Sequence, residues 1–169
     1  MGRGEQVLNG MNVPELREYI KMVKADSSVA ERDPTIVARW NDGSRAQLRY
    51  EGTTLDIGGE GEPSAMVLLL ASLAACDVEV VATTATLLGL ELESLEVEAK
   101  GHFNVQRLLG LEEGPQPGYD RIGYTIRLRA PDASDEQVEE LRAMCERSSP
   151  VGDSLTRRIP LTLQIEREA

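Results

Sequence analysis

The chain has 169 residues, with 18 Lys and Arg against 29 Asp and Glu, for a formal net charge of −11. This length suits one domain with a sizeable core, while the acidic balance argues against nucleic acid and anionic membranes, both of which attract basic surfaces. Two cysteines and one histidine argue against a disulfide framework and a clustered zinc site, so we expect no metal and no bound cofactor.

The N-terminal part predicts a helical extension. Its first segment, MGRGEQVLNGMNV, has no apolar core and no cleavage signal, so we expect a protein that is not exported and stays in the cytoplasm. A helix should follow, with Asn12 as its cap and Pro14 in its first turn. Its apolar stripe consists of Leu16, Tyr19, Ile20 and Val23. We divide the chain into this extension, 1–33, and one domain, 34–169.

A β-hairpin is predicted around Asp42-Gly43, because this dipeptide is a strong turn signal between two alternating segments. The apolar positions of these segments are Ile36, Ala38, Trp40, Ala46, Leu48 and Tyr50. We expect Trp40 to belong to the core. The next segment, DIGGEGEPS, predicts an acidic loop; its glycines lack the spacing of a phosphate-binding loop, and its carboxylates would repel phosphate.

A long helix is predicted in the most apolar segment, LLLASLAACDVEVVATTATLLGL. Ser64 marks its start and Gly89 its end. It differs from a membrane span because Asp77 and Glu79 lie at its centre. We therefore predict a helix almost wholly buried in a soluble fold, with Cys76 at or near a pocket. Because buried charge needs partners, the two acids should face a cleft or pair with an Arg of a second chain.

The remaining segments alternate between strands and helices. LESLEVEAKGHFNV and RIGYTIRLRA predict strands, with Tyr124 in the core and His102 structural or exposed. ASDEQVEELRAMCERSS predicts a helix with a capping box from Ser134 to Gln137. Ser149 and Pro150 should begin a short helix. The final segment, IPLTLQIE, predicts a strand with four inward residues, Ile159, Leu161, Leu163 and Ile165.

This order of elements predicts an α+β fold with mainly antiparallel pairing. A two-stranded hairpin before residue 51 is too small to bury both its own face and so long an apolar helix. A second copy of the chain would cover both, so we predict a homodimer.

The two cysteines raise the question of reactivity. A thiol reacts as its thiolate, which a nearby cation or helix N-terminus favours. Cys76 lies far from the start of its helix, and Asp77 would disfavour the thiolate if it pointed inward. An activating Arg must therefore come from elsewhere in the fold. Composition alone would make Cys76 a packed apolar residue.

Two motifs resemble a known family. PSAMVLLLASLAACD closely resembles the central-helix motif of the OsmC/Ohr proteins, the osmotically inducible and organic hydroperoxide resistance proteins. CERSSPVGDSL, followed by IPLTLQIE, resembles their second-cysteine segment and closing strand. The resemblance covers roughly residues 34–166, and its motifs stand in the family's order, with Cys145 following Cys76 by 69 positions.

The resemblance implies an intertwined homodimer with long central helices sandwiched between mainly antiparallel sheets and with active sites at the interface. It also implies a thiol peroxidase that reduces organic hydroperoxides. Cys76 would be the peroxidatic residue and Cys145 the resolving one, and a dithiol, such as a dihydrolipoyl group on a lipoyl protein, would reduce the resulting disulfide. An Arg and a Glu hold the thiolate in such proteins; Arg39 is the first candidate here and Arg45 the second.

The chain departs from the peroxidases at two places. Their Glu lies nine or ten residues before the reactive Cys, where this chain has Val67 and Met66; Glu60 and Glu62 lie in the preceding loop. Their second Cys directly precedes Pro, where this chain has a serine.

That serine is Ser149, and Cys145 lies one helical turn earlier, about 5–6 Å away, which is enough to disturb the narrow geometry of a disulfide. An alternative function therefore stays open: a non-catalytic dimer that binds a small hydrophobic or thiol-reactive molecule.

Overall fold

The fold is described by a computed structural model over residues 7–167; residues 1–6, part of the segment examined for an export signal, and 168–169 lie outside the described residues. The N-terminal elements are β1 (Val7–Leu8), β2 (Met11–Asn12), α1 (Val13–Ala25) and a 3₁₀ turn (Ser27–Ala30). A three-stranded sheet follows, made of β3 (Val37–Trp40), β4 (Ala46–Tyr50) and β5 (Thr53–Ile57). The rest consists of α2 (Ala65–Leu88), β6 (Ser94–Phe103), β7 (Tyr119–Arg129), α3 (Asp135–Ser148) and α4 (Pro150–Thr156). All strand pairs are antiparallel, so the α+β class is confirmed.

The N-terminal extension is hydrogen-bonded to the end of α2 and to the segment that follows it. Helix α1 begins as predicted, with the Asn12 side chain accepting a hydrogen bond from the Glu15 amide. The hairpin before it was not predicted; it turns at Asn9, φ 51°, and Gly10, φ 78°, the left-handed pair that tight hairpins require. The Asn9 side chain then bonds to the segment around Leu90. The division of the chain at residues 33 and 34 stays a prediction.

The sheet of β3, β4 and β5 stands apart from the other elements. The predicted hairpin is confirmed, with Trp40 opposite Ala46. Strand β5 was not predicted; the chain turns back because Glu51 and Gly52 both take positive φ values. No other element packs broadly on this sheet within residues 7–167, and Trp40 is 74% exposed. The expectation that Trp40 lies in the core is therefore wrong for this single chain, because nothing in it covers the sheet.

Helix α2 has the predicted bounds. The Ser64 hydroxyl accepts a hydrogen bond from the Val67 amide, and Gly89, at φ 77°, ends the helix in the left-handed conformation. Among the described helices α2 alone is long and apolar enough to cross a membrane by length and composition, a test that core helices of soluble proteins also meet. Its one buried side packs against β6, α3 and α4.

The expected near-complete burial of α2 is wrong for this chain. Leu73 and Val81 are buried, but Val67, Leu69 and Val78 are exposed. The reason is geometric: the packed elements cover one side of the helix, and no described element covers the other.

The core lies between α2, α3 and the sheet of β6 and β7. Its most buried apolar residues are Val81, Ala85, Leu90, Leu141 and Cys145. The β6–β7 register pairs Val97 with Ile126, with a bulge at His102 and Phe103. His102 is exposed and bonded to Asp120, with 2.9 Å between Nδ1 and Oδ2, which confirms its expected role.

The C-terminal helices are confirmed, but the closing strand is wrong for this chain. Ser134 and Gln137 form the predicted capping box of α3, and α4 begins at Pro150. The predicted strand residues Ile159, Leu161, Leu163 and Ile165 are exposed, Leu161 by 94%. A strand needs a hydrogen-bonding neighbour, and within the described part of the chain no strand edge pairs with residues 157–167.

Candidate active site

Cys76 has a serine hydroxyl as its immediate polar neighbour. Its sulfur lies half-buried near the middle of α2, 3.4 Å from Ser149 Oγ. Ser149 is only 3% exposed, and its oxygen caps α4 by accepting a hydrogen bond of 3.1 Å from the Gly152 amide. The Gly152 amide uses one acceptor site of that oxygen, and the hydroxyl proton remains available for the Cys76 sulfur.

Cys145 is a separate, deeply buried thiol. It lies on α3, is 3% exposed, and forms neither a disulfide nor a hydrogen bond with Cys76 in the described structure. Burial, followed by electrostatic interaction with Asp77, Cys76 and Glu146, raises the pKa of Cys145 to about 11. At neutral pH the Cys145 thiol is therefore protonated and a poor nucleophile.

Asp77 points into the interior of its own chain. It is fully buried, and neither carboxylate oxygen has a hydrogen-bond partner among the described residues. Because it is fully buried it does not face a cleft within one chain, so that expectation is wrong for the single chain, while pairing with an Arg across a dimer stays a prediction. Burial and then the Asp77 charge raise the pKa of Tyr124. Glu79, two residues on, is exposed.

Two adjoining grooves run between β7 and the helices α3 and α4. Their volumes are about 580 and about 450 Å3, and they share Ile122, Tyr124, Cys145 and Glu146. Tyr124 is thus partly exposed in a groove and not the core residue that we predicted. Cys145 rather than Cys76 lines the grooves; Cys76 is near them through Leu73, one turn earlier on α2.

The candidate activating arginines do not meet Cys76 within this chain. Arg39 lies on β3 opposite Gln47 and has no hydrogen bond to Cys76 in the described residues. Arg45 donates a hydrogen bond of 2.8 Å to Glu62, which holds the pKa of that carboxyl below its usual value. Arg45 and Glu62 are 17 residues apart in sequence, a spacing that does not predict that they pair. The role of Arg39 stays a prediction.

The turn of α2 that would carry the family's glutamate is apolar here. Val67 is exposed on the uncovered side of the helix. The Met66 carbonyl accepts a hydrogen bond of 2.7 Å from the Tyr119 hydroxyl, which ties the start of α2 to β7. This turn therefore supplies no carboxylate to the site. Within residues 7–167 no group of three or more His, Cys, Asp and Glu is placed to hold a metal ion.

The sequence profile of OsmC-like proteins matches residues 58–164, a span that contains Cys76, Cys145 and Ser149. The chain belongs to the OsmC-like family. No curated protein matches it.

Solved structures share the OsmC-like fold. An OsmC-like protein from Mycoplasma pneumoniae is similar with a TM-score of 0.63 and 16% identity, over 74% of this chain and 88% of that one. An OsmC-like protein of unknown function from Vibrio cholerae gives 0.58 and 10%, over 75% and 95%. An organic hydroperoxide resistance protein OsmC from Legionella pneumophila gives 0.53 and 18%, over 75% and 92%. At these identities the similarity establishes the fold alone.

Proposed function

We propose that this OsmC-like protein is a thiol-dependent peroxidase that reduces organic hydroperoxides at Cys76. The observation that carries the proposal is the half-buried Cys76 sulfur at the middle of α2 with the Ser149 hydroxyl 3.4 Å away. The Ser149 hydroxyl is placed to donate a hydrogen bond to that sulfur and to hold it in position for attack. Family membership and the Legionella pneumophila relative support a redox role.

The reaction transfers one oxygen atom to sulfur. The Cys76 thiolate attacks the terminal oxygen of the hydroperoxide, the O–O bond breaks, and the alkoxide leaves and takes up a proton as an alcohol. Cys76 becomes a sulfenic acid and is oxidised by two electrons. Cys145 does not compete in this step, because its thiol is buried and has a pKa of about 11. Thiol reductants, of which a dithiol such as a dihydrolipoyl group is our candidate, return Cys76 to its starting state.

A homodimer is the proposed working form. One chain leaves three apolar surfaces uncovered: the sheet of β3, β4 and β5, the outer side of α2, and residues 159–165. A second copy offers the same three surfaces and would cover them. The outer side of α2 borders Cys76, so a dimer would enclose the sulfur in an apolar site that suits an alkyl hydroperoxide. Such a dimer is also the proposed source of Arg39 as the activating cation.

The cytoplasm is the proposed location. Cys76 and Cys145 are both free thiols in the structure, and the reducing cytoplasm keeps such thiols reduced.

A second candidate function is a non-catalytic dimer that binds a small hydrophobic molecule. The apolar groove of about 580 Å3 between β7 and α3 favours it, as does the absence of a carboxylate at Met66 and Val67. Ligand pockets are commonly apolar clefts of this size.

Peroxide consumption separates the two functions. The full chain is mixed with one equivalent of cumene hydroperoxide, and the remaining peroxide and the state of each cysteine are measured by peptide mass spectrometry. We expect the wild type to consume the peroxide and Cys76→Ser to lose at least about 100-fold in rate, as loss of a nucleophile does. Cys145→Ala, the matched control, should keep this first oxidation. Persistent peroxide beside a free Cys76 thiol in the wild type would favour the binding dimer.

A further inference from the structure

The position next to the Cys76 sulfur holds a hydroxyl and not a second thiol. Ser149 Oγ lies 3.4 Å from Cys76 Sγ and is fixed there, because it also caps α4 through the Gly152 amide and is almost fully buried. A serine forms no disulfide. The first polar group that an oxidised Cys76 meets is therefore unable to reduce it.

Cys145 is packed into the hydrophobic core. It precedes Ser149 by four residues on α3, which is about 6 Å along a helix axis. Its sulfur belongs to the core cluster with Val81 and Leu141, and α3 is anchored at its start by the Ser134 capping box. A disulfide requires the sulfurs to approach to about 2 Å; both cysteines are free thiols here, so Cys145 would have to change its core packing to bond to Cys76.

The raised pKa of Cys145 also argues against its attack on an oxidised Cys76. Disulfide formation needs the attacking sulfur as thiolate. With a pKa of about 11, Cys145 would be deprotonated in about one molecule in ten thousand at pH 7. An external thiol with an ordinary pKa of about 8.5 is ionised in a far larger fraction of molecules at pH 7.

We propose that, within the peroxidase reaction proposed above, the Cys76 sulfenic acid is reduced directly by an external thiol, with Ser149 as a positioning residue that donates a hydrogen bond to the Cys76 sulfur. The external thiolate attacks the sulfenic sulfur; an S–S bond forms, the S–O bond breaks, and the oxygen leaves as water after protonation. A second thiol then attacks the external sulfur of this mixed disulfide and releases the Cys76 thiolate. The two external thiols are oxidised to a disulfide, which balances the two electrons taken by the peroxide.

A dithiol suits this sequence better than two separate thiols. Once one of its sulfurs is bound to Cys76, its second thiol is in the same molecule and attacks at a high effective concentration. Dithiothreitol should therefore support faster turnover than an equal concentration of thiol groups from 2-mercaptoethanol.

The products of oxidation test the route. The full chain receives one equivalent of cumene hydroperoxide without reductant, followed by dimedone, which traps sulfenic acids. We expect a dimedone adduct on Cys76 and a free Cys145 in the wild type. Ser149→Cys should instead give a disulfide between Cys76 and the introduced thiol and lose the adduct. With dithiothreitol present, Cys145→Ala should turn over within about twofold of the wild type.

The role of Ser149 has a readout of its own, the pH profile of Cys76 alkylation. Ser149→Ala should shift the profile to higher pH and slow alkylation at pH 7 by about 3- to 10-fold, because the thiolate loses a donor. Ser149→Thr keeps both the hydroxyl and the cap and should restore the profile; circular dichroism of each variant reports whether α4 is retained.

Three results would count against these proposals in different ways. A Cys76–Cys145 disulfide in the wild type, together with loss of turnover in Cys145→Ala, would overturn direct reduction while the peroxidase function stood. An unchanged pH profile in Ser149→Ala would remove the role of Ser149. An unoxidised Cys76 beside persistent peroxide would overturn the peroxidase function itself.

Discussion

At the scale of single residues, Asp77 is the buried acid beside the two cysteines, and after burial its charge is the largest cause of the raised pKa values of Cys145 and Tyr124. Its carboxylate is buried without a hydrogen-bond partner among the described residues, an arrangement that costs free energy of folding. The sequence shows that Asp77 directly follows Cys76. It does not show in which direction the Asp77 side chain points. That direction depends on how α2 is rotated against β6 and α3, and this rotation is set by packing far along the chain.

Asp77 should contribute to the raised pKa of Cys145. The Cys145 pKa of about 11 arises first from burial and then from the Asp77 charge, against an ordinary value of 9.0. Asp77→Asn should therefore lower the pKa of Cys145. Thiolate absorbance near 240 nm, followed against pH in a Cys76→Ser background, reports Cys145 without interference from the other thiol.

The same substitution should change how stability depends on pH. Because the pKa of Cys145 is raised on folding, its contribution to stability is complete below about pH 9 and is lost as pH rises from 9 towards 11. Asp77→Asn should reduce that alkaline loss by roughly 1 kcal/mol or less, since a tenfold change in a proton-binding constant corresponds to about 1.4 kcal/mol and Asp77 is only one of several causes. Glu79 is an exposed acid on the same helix. Glu79→Gln should change neither the pKa of Cys145 nor the loss of stability at alkaline pH. If the pKa of Cys145 is the same in Asp77→Asn and in the wild type, the inference that the Asp77 charge raises that pKa is wrong.

At the scale of elements, boundaries were easier to predict than packing. Ser64 and Gly89 mark the ends of α2 through local capping chemistry that a sequence displays. Strand β5 was missed because its turn uses Glu51 at positive φ, a conformation that a non-glycine residue rarely signals. The hydrogen bonds of the Asn9 side chain were not predicted, because their partners are more than 75 residues away in sequence.

Asn9 should anchor the N-terminal extension. Its amide nitrogen donates to Thr86 Oγ1 at 3.1 Å and to the Leu90 carbonyl at 2.8 Å, and its oxygen accepts from the Leu92 amide at 2.8 Å. Asn9→Gly keeps a residue suited to positive φ but removes these bonds. At about 1 kcal/mol each, their loss should cost the extension about 2–3 kcal/mol.

Hydrogen exchange of α1 measures this effect. Amides of α1 in Asn9→Gly should exchange at least about tenfold faster than in the wild type, while those of β6 stay protected. Asn12→Gly, which weakens only the cap of α1, is the matched control and should have a smaller effect, because glycine is itself a tolerable cap. Equal protection of α1 in Asn9→Gly and wild type would show that apolar contacts such as buried Val13 hold the extension without the hydrogen bonds of Asn9.

At the scale of the whole molecule, the failed expectations share a cause. The sequence patterns predicted buried positions for Trp40, the outer side of α2 and residues 159–165, yet all are exposed in one chain. Alternation and apolarity indicate that a residue will be covered, but not by which chain. The patterns therefore fit a dimer better than they fit the isolated chain.

A charge in the C-terminal segment should test the dimer. Leu161 is 94% exposed in one chain, and if the segment forms a strand in the dimer, Leu161 and its neighbour Thr162 would point to opposite sides. If a second copy covers the apolar side, Leu161→Asp would bury an unpaired charge and should raise the dimer dissociation constant at least about 100-fold. Thr162→Asp places the same charge on the other side and should leave the dimer largely intact. Sedimentation at micromolar concentration measures both variants against the wild type.

The single tryptophan gives the same prediction an independent readout. Trp40 is the only tryptophan of the chain; its indole nitrogen donates to the Gly43 carbonyl, and the side chain is largely exposed in one chain. In a dimer that covers this sheet, its emission should be blue-shifted and protected from iodide. Leu161→Asp should shift the emission to the red and increase quenching as the dimer dissociates. A folded wild-type monomer at micromolar concentration, with its tryptophan open to iodide, would contradict the dimer, because the apolar surfaces would then be stable in water without a partner.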